Sequence, residues 1–266
     1  MTRPKRNVAM TPDRLIPIPG AVNLRDFGGY PGLGGRPVRR GKLFRSGAMD
    51  RLKEDGIHQF NALGIQTICD LRRPEERDQE PTPANLRARR VEIPMDPGSA
   101  IAMRAALANE DLDAKARIDY MVAINHELAA HHQDDYAQLF QALLETEQGG
   151  FLVHCAAGKD RTGFAAALIL HALGVAEDLV LSDYLFTNSA VDLEGQVLPR
   201  MRRYYGDRPL PELEAIMAIA GVRPEYLRAA YHAIAQDFAS LEAYLEDALG
   251  LQRAKRHTLG QRYLRG

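Results

Sequence analysis

Short strand-like runs alternate with helical periodicities through much of this chain. "KLFRS" (42–46), "IQTICDLR" (65–72), "ARRVEIP" (88–94) and "FLVHC" (151–155) are brief and bounded by turn signals, and they predict strands. "DGIHQFNALG" (55–64) reads as a short helix that Gly64 ends. In "YAQLFQALL" the residues Tyr136, Leu139, Phe140, Leu143 and Leu144 recur at i, i+3, i+4, i+7 and i+8, one face of a helix. "RTGFAAALILHALG" (161–174) is apolar nearly all round, which predicts a buried helix with Gly174 near its C-terminus. From 176 to 249 the pattern is again helical, with Pro224 opening one helix in "RPEYLRAAYHAI". The alternation predicts an α/β sheet.

Three segments stand apart from it. Residues 1–20 hold four prolines and few periodic apolar positions, and they read as a loose N-terminal arm. Residues 98–133 are helical but poor in large apolar groups, a helical insertion and candidate lid. Residues 252–266 read as a basic C-terminal tail suited to an anionic membrane surface. The remainder, 21–251, has no internal repeat or low-complexity linker and is expected to be one domain.

Composition narrows the partners. The 34 Lys+Arg against 35 Asp+Glu give no bulk pull toward nucleic acid or membrane. No run reaches the roughly 18 apolar residues of a bilayer span, so stable membrane insertion is not expected. The basic start lacks the apolar run of a signal peptide. Two cysteines, Cys69 and Cys155, cannot build a disulfide scaffold. A soluble cytoplasmic protein is the expectation.

Candidate chemistry concentrates in "FLVHCAAGKDRTGFAAALIL" (151–170), a strand, a tight turn and a helix. The amides of 156–161 can curl into a nest, and the helix N-terminus adds partial positive charge to the same space. Ala156, Ala157 and Gly158 keep side chains out of that cradle, and Arg161 can fork two anion oxygens. A cysteine at the rim of such a site has its thiolate favoured. Thr162 can donate to that thiolate. Each residue also has a bland reading: Cys155 as packing, Asp160 as a helix cap, Lys159 and Arg161 as solvated charges. Those readings together leave the spacing unexplained. A nucleotide-binding loop fails because Asp160 follows Gly158-Lys159 and Val153 stands where its first glycine belongs. "HHQDD" (131–135) lacks metal-site spacing.

His154-Cys155-x5-Arg161-Thr162 resembles the signature of the cysteine-dependent protein tyrosine phosphatases. Within them "HCAAGKDRTG" is similar to the atypical bacterial and fungal tyrosine phosphatases, which overlap with lipid phosphatases. "NLRDFGGY", "LFRSG", "CDLRRPEE", "DYLFTN" and "SLEAYLEDALGL" follow the same family's order across residues 20–251. The resemblance implies the tyrosine phosphatase fold, a central mostly parallel sheet flanked by helices. It implies Cys155 as nucleophile through a phosphocysteine, and Arg161 with the loop from Ala156 through Gly158 to Asp160 as phosphate binders. It implies Lys159 as an added charge favouring highly anionic substrates, His154 and Thr162 in support, and neither metal nor cofactor. The substrate would be a phosphorylated protein, first phosphotyrosine with dual specificity, and phosphate the product. A phosphoinositide or inositol phosphate substrate is the alternative. A catalytically inactive phosphate-binding module is the reading from another class.

The general acid stays open. The chain has no tryptophan, so the Trp-Pro-Asp acid loop of larger tyrosine phosphatases is absent. Asp70, ending the strand "TICD", and Asp160, inside the loop, are the candidates. Asp70 has a competing reading as partner of Arg72 or of an N-terminal arginine. Asn23, Arg25, Asp26, Arg45 and Ser46 brace the loop or form a structural turn. Cys69 is core packing or a redox partner of Cys155.

Overall fold

Five strands form one sheet: β1 (Arg25–Asp26), β2 (Leu43–Ser46), β3 (Ile65–Asp70), β4 (Arg89–Glu92) and β5 (Gly150–His154), in the order β1-β2-β5-β3-β4. The structure is a computed structural model and describes residues 14–109 and 112–266. β2, β5, β3 and β4 are parallel, and only the short β1 runs antiparallel, against β2. β5 lies at the centre and is buried throughout. Its alternation splits the core: Phe151 and Val153 face one apolar cluster, Leu152 the other. A sheet covered on both faces is why "FLVHC" reads as a continuous apolar run.

α1 (Glu54–Ala62) packs Phe60 and Ile57 into the smaller cluster with Leu152, and the short α2 (Pro74–Gln79) follows β3. The larger cluster is built by helices from the rest of the chain. They are α3 (Gly98–Asn109), α4 (Ala114–His131), α5 (Gln133–Glu145), α6 (Asp160–Ala172) and α7 (Glu177–Leu185). α10 (Pro224–Asp237), α11 (Leu241–Ala243) and α12 (Arg253–Tyr263) add to that cluster, while α8 (Leu198–Tyr205) and α9 (Leu213–Ala220) lie outside it. The mostly parallel sheet flanked by helices is the expected fold. α6 is buried from Thr162 to Leu170, as its all-round apolar pattern requires.

The three outlying segments differ from expectation. Residues 1–13 of the supposed arm lie outside the described residues, but 14–20 are packed. Arg14 stacks 3.8 Å from the centre of the Tyr30 ring and donates to the Gly28 carbonyl, and Ile18 is buried. In the 98–133 insertion α4 is a core helix. Its Met121, Ile124 and Leu128 are buried, and it packs mainly on α10. At the C-terminus, 252–266 is no free tail: α12 buries Leu259 and Tyr263, and Leu264 bridges to Val38.

Candidate active site

Parallel register brings Ser46, His154 and Asp70 side by side at the C-terminal ends of β2, β5 and β3. α/β sheets place their sites at that edge. Cys155 follows His154 directly, and the chain turns through 155–159 before α6 begins at Asp160. Gly158 makes the turn with φ +66, and a Cβ there would lie 2.5 Å from the Ser46 carbonyl. Only glycine fits, on both counts.

The loop is braced from beneath. The Gly158 carbonyl accepts from Asn23 Nδ2 at 2.9 Å and from Arg45 Nη2 at 3.1 Å. Arg45 Nη1 pairs with Asp183 at 2.9 Å, and Arg25 Nη2 donates to the Asp183 carbonyl and to Thr187 Oγ1. Burial and the neighbouring Arg45 lower the Arg25 pKa to about 9 despite Asp183. Two buried guanidinium groups thus share one carboxylate, leaving positive charge beneath the cradle. Asn23, Arg25 and Arg45 are therefore braces. Asp26 is a turn residue, accepting from the Gly28 and Gly41 amides at 2.7 Å each. Ser46 donates to the Val22 carbonyl.

On the open side the amides of 156–161 donate to no other group among the described residues. Arg161 closes the loop. Its Nη1 and Nη2 fork Glu76 at 2.8 and 2.9 Å, and Nη1 also reaches the Leu71 and Met95 carbonyls. Burial opposes the Arg161 charge, but Cys155 and Glu76 hold its pKa above the ordinary arginine value. Burial likewise opposes ionisation of Glu76, yet the hydrogen bonds and charge of Arg161 bring it down to about 2. Glu76 lies in the quoted "CDLRRPEE" but was not singled out as a site residue. Its side chain sits 85 positions from its partner, and no local pattern marks it.

Residues 16–265 match the tyrosine phosphatase family. The chain belongs to that family. A Cupriavidus necator protein named as a tyrosine-protein phosphatase is 35% identical over 237 residues, 88% of this chain and 83% of its own. The triple specificity protein phosphatase of Mycobacterium tuberculosis is 29% identical over 266 residues, 89% and 94% of the two chains. A tyrosine-protein phosphatase of Nostoc commune is 30% identical over 156 residues, 57% and 49%. The protein is a cysteine-dependent phosphatase that hydrolyses phosphomonoesters through a phosphocysteine.

The two acid candidates of this phosphatase sit in different surroundings. Asp70 is gripped by Arg72, with Nε at 2.9 Å from Oδ1 and Nη2 at 2.7 Å from Oδ2. His154 Nε2 lies 3.4 Å from Asp70 Oδ2, within ion-pair distance but outside hydrogen-bond geometry. Burial opposes the Asp70 charge, and His154 and Arg72 overcome it, holding the carboxyl far below its usual range. Asp160 is held more loosely, with Asn125 Nδ2 at 3.4 Å and Lys159 Nζ at 3.4 Å, and its side chain keeps 19% exposure. Lys159 is buried, and its ammonium donates to the Ile219 carbonyl at the end of α9 instead of lying free in the cradle. Thr162 Oγ1 is buried without a partner, so the expected bond to the thiol is not made here. Cys69 pairs with Val153, two residues short of Cys155. Strand spacing sets their Cα atoms roughly 8 Å apart, beyond ordinary disulfide reach. Both thiols are free, and burial pushes Cys69 up.

A cavity of about 640 Å³ opens beside the loop. Ala156 and Ala157 form its floor, and Arg117, Met201, Tyr205 and Ile216 are among its walls. The cover expected from 98–133 comes only in part from there. Arg104 and Leu107 of α3 and Arg117 of α4 contribute, while α8 and α9, which carried no such expectation, add Met201, Tyr204, Tyr205 and Ile216.

Proposed function

We propose that Cys155 is the nucleophile, Arg161 the clamp on the transferring phosphoryl group, and Asp160 the general acid. The unspent amides of 156–161 at the N-terminus of a buried helix, directly after a cysteine, carry this reading. Three phosphoryl oxygens need donors, and preorganised amides supply them where charge develops. The Cys155 sulfur attacks phosphorus, the ester oxygen leaves, and Asp160 hands that oxygen its proton. Asp160 as carboxylate then takes a proton from water as the water cleaves the S–P bond, releasing phosphate and restoring the thiolate. Asp70 is the poorer donor, because a carboxyl already engaged by Arg72 has no proton to give. Ala156, Ala157, Gly158 and the Arg161 guanidinium bind the phosphate. Lys159 sets local charge through Asp160, and His154 and Thr162 support the loop.

The substrate is a phosphorylated protein, first phosphotyrosine, with dual specificity toward phosphoserine and phosphothreonine. The name of the Mycobacterium tuberculosis relative supports breadth of this kind. A phosphoinositide is the second reading, favoured by the cavity beside the loop. Two free cysteines agree with a reducing, cytoplasmic setting. No helix among the described residues is long and apolar enough to cross a membrane.

The test is turnover of p-nitrophenyl phosphate with a chelator present. Cys155→Ser is expected to abolish it, and the chelator to leave it unchanged. Asp160→Asn should lower kcat about 100-fold and remove the fall of kcat toward high pH, where a general acid loses its proton. Asp70→Asn should keep that fall. The reverse pattern would reassign the acid to Asp70.

A further inference from the structure

Asn125 is a polar side chain in apolar company. It lies in the second half of α4, wholly buried, on the same line as Met121, Ile124 and Leu128. Its Nδ2 donates to the Met121 carbonyl at 2.9 Å and to Asp160 Oδ1 at 3.4 Å. Its Oδ1 is buried with no partner. A buried carbonyl left unpaired lowers stability. The Met121 carbonyl has no need of the side chain either, since the helical ladder of α4 already gives it a donor. Leucine, of nearly the same shape, would suit this place better if packing were all that counted. The bond that leucine could not make is the one to Asp160.

The Met121 carbonyl also fixes which end of the amide faces Asp160. Turning the amide over would set Oδ1 against that carbonyl, two acceptors face to face. Nδ2 therefore points at Asp160, and only as a donor. The carboxylate is held from two sides, by Asn125 of α4 at Oδ1 and by Lys159 Nζ at Oδ2, each at 3.4 Å. The terminal torsion of a carboxylate is broad, so a single anchor leaves it free to turn. Tyr184 and Tyr226 lie near enough to feel the Asp160 charge, but the Tyr226 hydroxyl donates to the Ala218 carbonyl and the Tyr184 hydroxyl has no partner.

We propose that Asn125 is a positioning residue for proton transfer, holding the Asp160 carboxyl in the orientation from which it protonates the leaving oxygen. The inference rests on Asp160 as general acid and adds to that step a residue from outside the loop. Each carboxyl oxygen keeps a second lone pair, so one can carry the proton while both anchors stay in place. A small misplacement of a reacting group is enough to slow such a step.

The experiment uses the full chain and measures kcat/KM on phenyl phosphate and on p-nitrophenyl phosphate, inhibition by inorganic phosphate, and thermal melting. Phenolate is a far more basic leaving group than p-nitrophenolate and depends more on the acid. Asn125→Leu should lower kcat/KM about tenfold on phenyl phosphate and less than about threefold on p-nitrophenyl phosphate, the loss of a hydrogen bond to a charged group. Inhibition by phosphate should not change, because the loop amides are untouched. The variant should melt no lower than wild type, because the unpaired acceptor is gone. Asn125→Ala carries the activity test if the leucine variant does not fold. In an Asp160→Asn background the same substitution should alter neither substrate, as for two residues serving one step. An equal loss on both substrates, weaker inhibition by phosphate, or an undiminished effect in the Asp160→Asn background would each overturn the proposal. Asp160→Asn that slows both substrates equally would instead overturn the acid assignment beneath it.

Discussion

Glu76 and Arg161 form a two-pronged ion pair in which the acid reaches about 2. A carboxylate held below its unfolded value contributes stability that is complete above that value and is lost as pH falls toward the folded one. For Glu76 the window runs from the ordinary 4.5 down to about 2. With the side chain only 18% exposed, the upper bound is roughly 3 kcal/mol. Glu76→Gln should therefore destabilise the fold at pH 7, and urea denaturation curves of mutant and wild type should converge as pH drops through that window. The variant should also lower kcat/KM, because an Arg161 without its fork is free to leave the loop. Sequence made Cys155 and Arg161 legible since their spacing is local to one turn. Their supports Glu76, Asn23 and Arg45 act across 85, 135 and 113 residues: Asn23 and Arg45 were legible only as braces or turn residues, and Glu76 was not legible as a support at all.

At the scale of elements, α3 and α4 separate what the sequence joined. Leu128 of α4 is wholly buried, whereas Ile101 of α3 is 52% exposed. Leu128→Ala should cost about 2–5 kcal/mol in thermal or chemical unfolding. Ile101→Ala should stay within about 0.5 kcal/mol. Equal, small effects would restore a loosely packed lid over the whole segment. β2 to β5 and α1, α5, α6 and α10 were legible because apolar runs or stripes and glycine or proline ends announce them, whereas the two-residue β1 was not. α4 misled because its buried line is narrow, with Met121, Ile124 and Leu128 among alanines and charges, and its partner α10 begins almost a hundred residues later.

For the molecule as a whole, the C-terminus is structural. Deleting residues 253–266 removes the buried Leu259, Tyr263 and Leu264. At about 1.5–3 kcal/mol for each large apolar side chain, the loss rivals the entire stability of an ordinary domain. The truncated chain should unfold below ordinary growth temperature or accumulate as aggregate, while a full-length chain with Arg253 and Lys255 neutralised should melt within a few degrees of wild type. The basic residues of this segment disguised it: Arg253, Lys255 and His257 face solvent while Leu259 and Tyr263, four apart, face the core.

The Gly158 carbonyl is gripped by residues from near the start of the chain, and that same region is tied down by its end. The Tyr263 carbonyl accepts from the Arg39 amide, and the Pro37 carbonyl accepts from the Arg265 amide. Contacts of such sequence separation form late in folding, because their loop-closure cost precedes their reward. Turnover by this enzyme then reports that its tertiary structure is complete. A ribosome-bound or partly refolded chain has the cysteine but not the cradle, and turnover should return in step with the slowest refolding phase, after most helical signal has recovered.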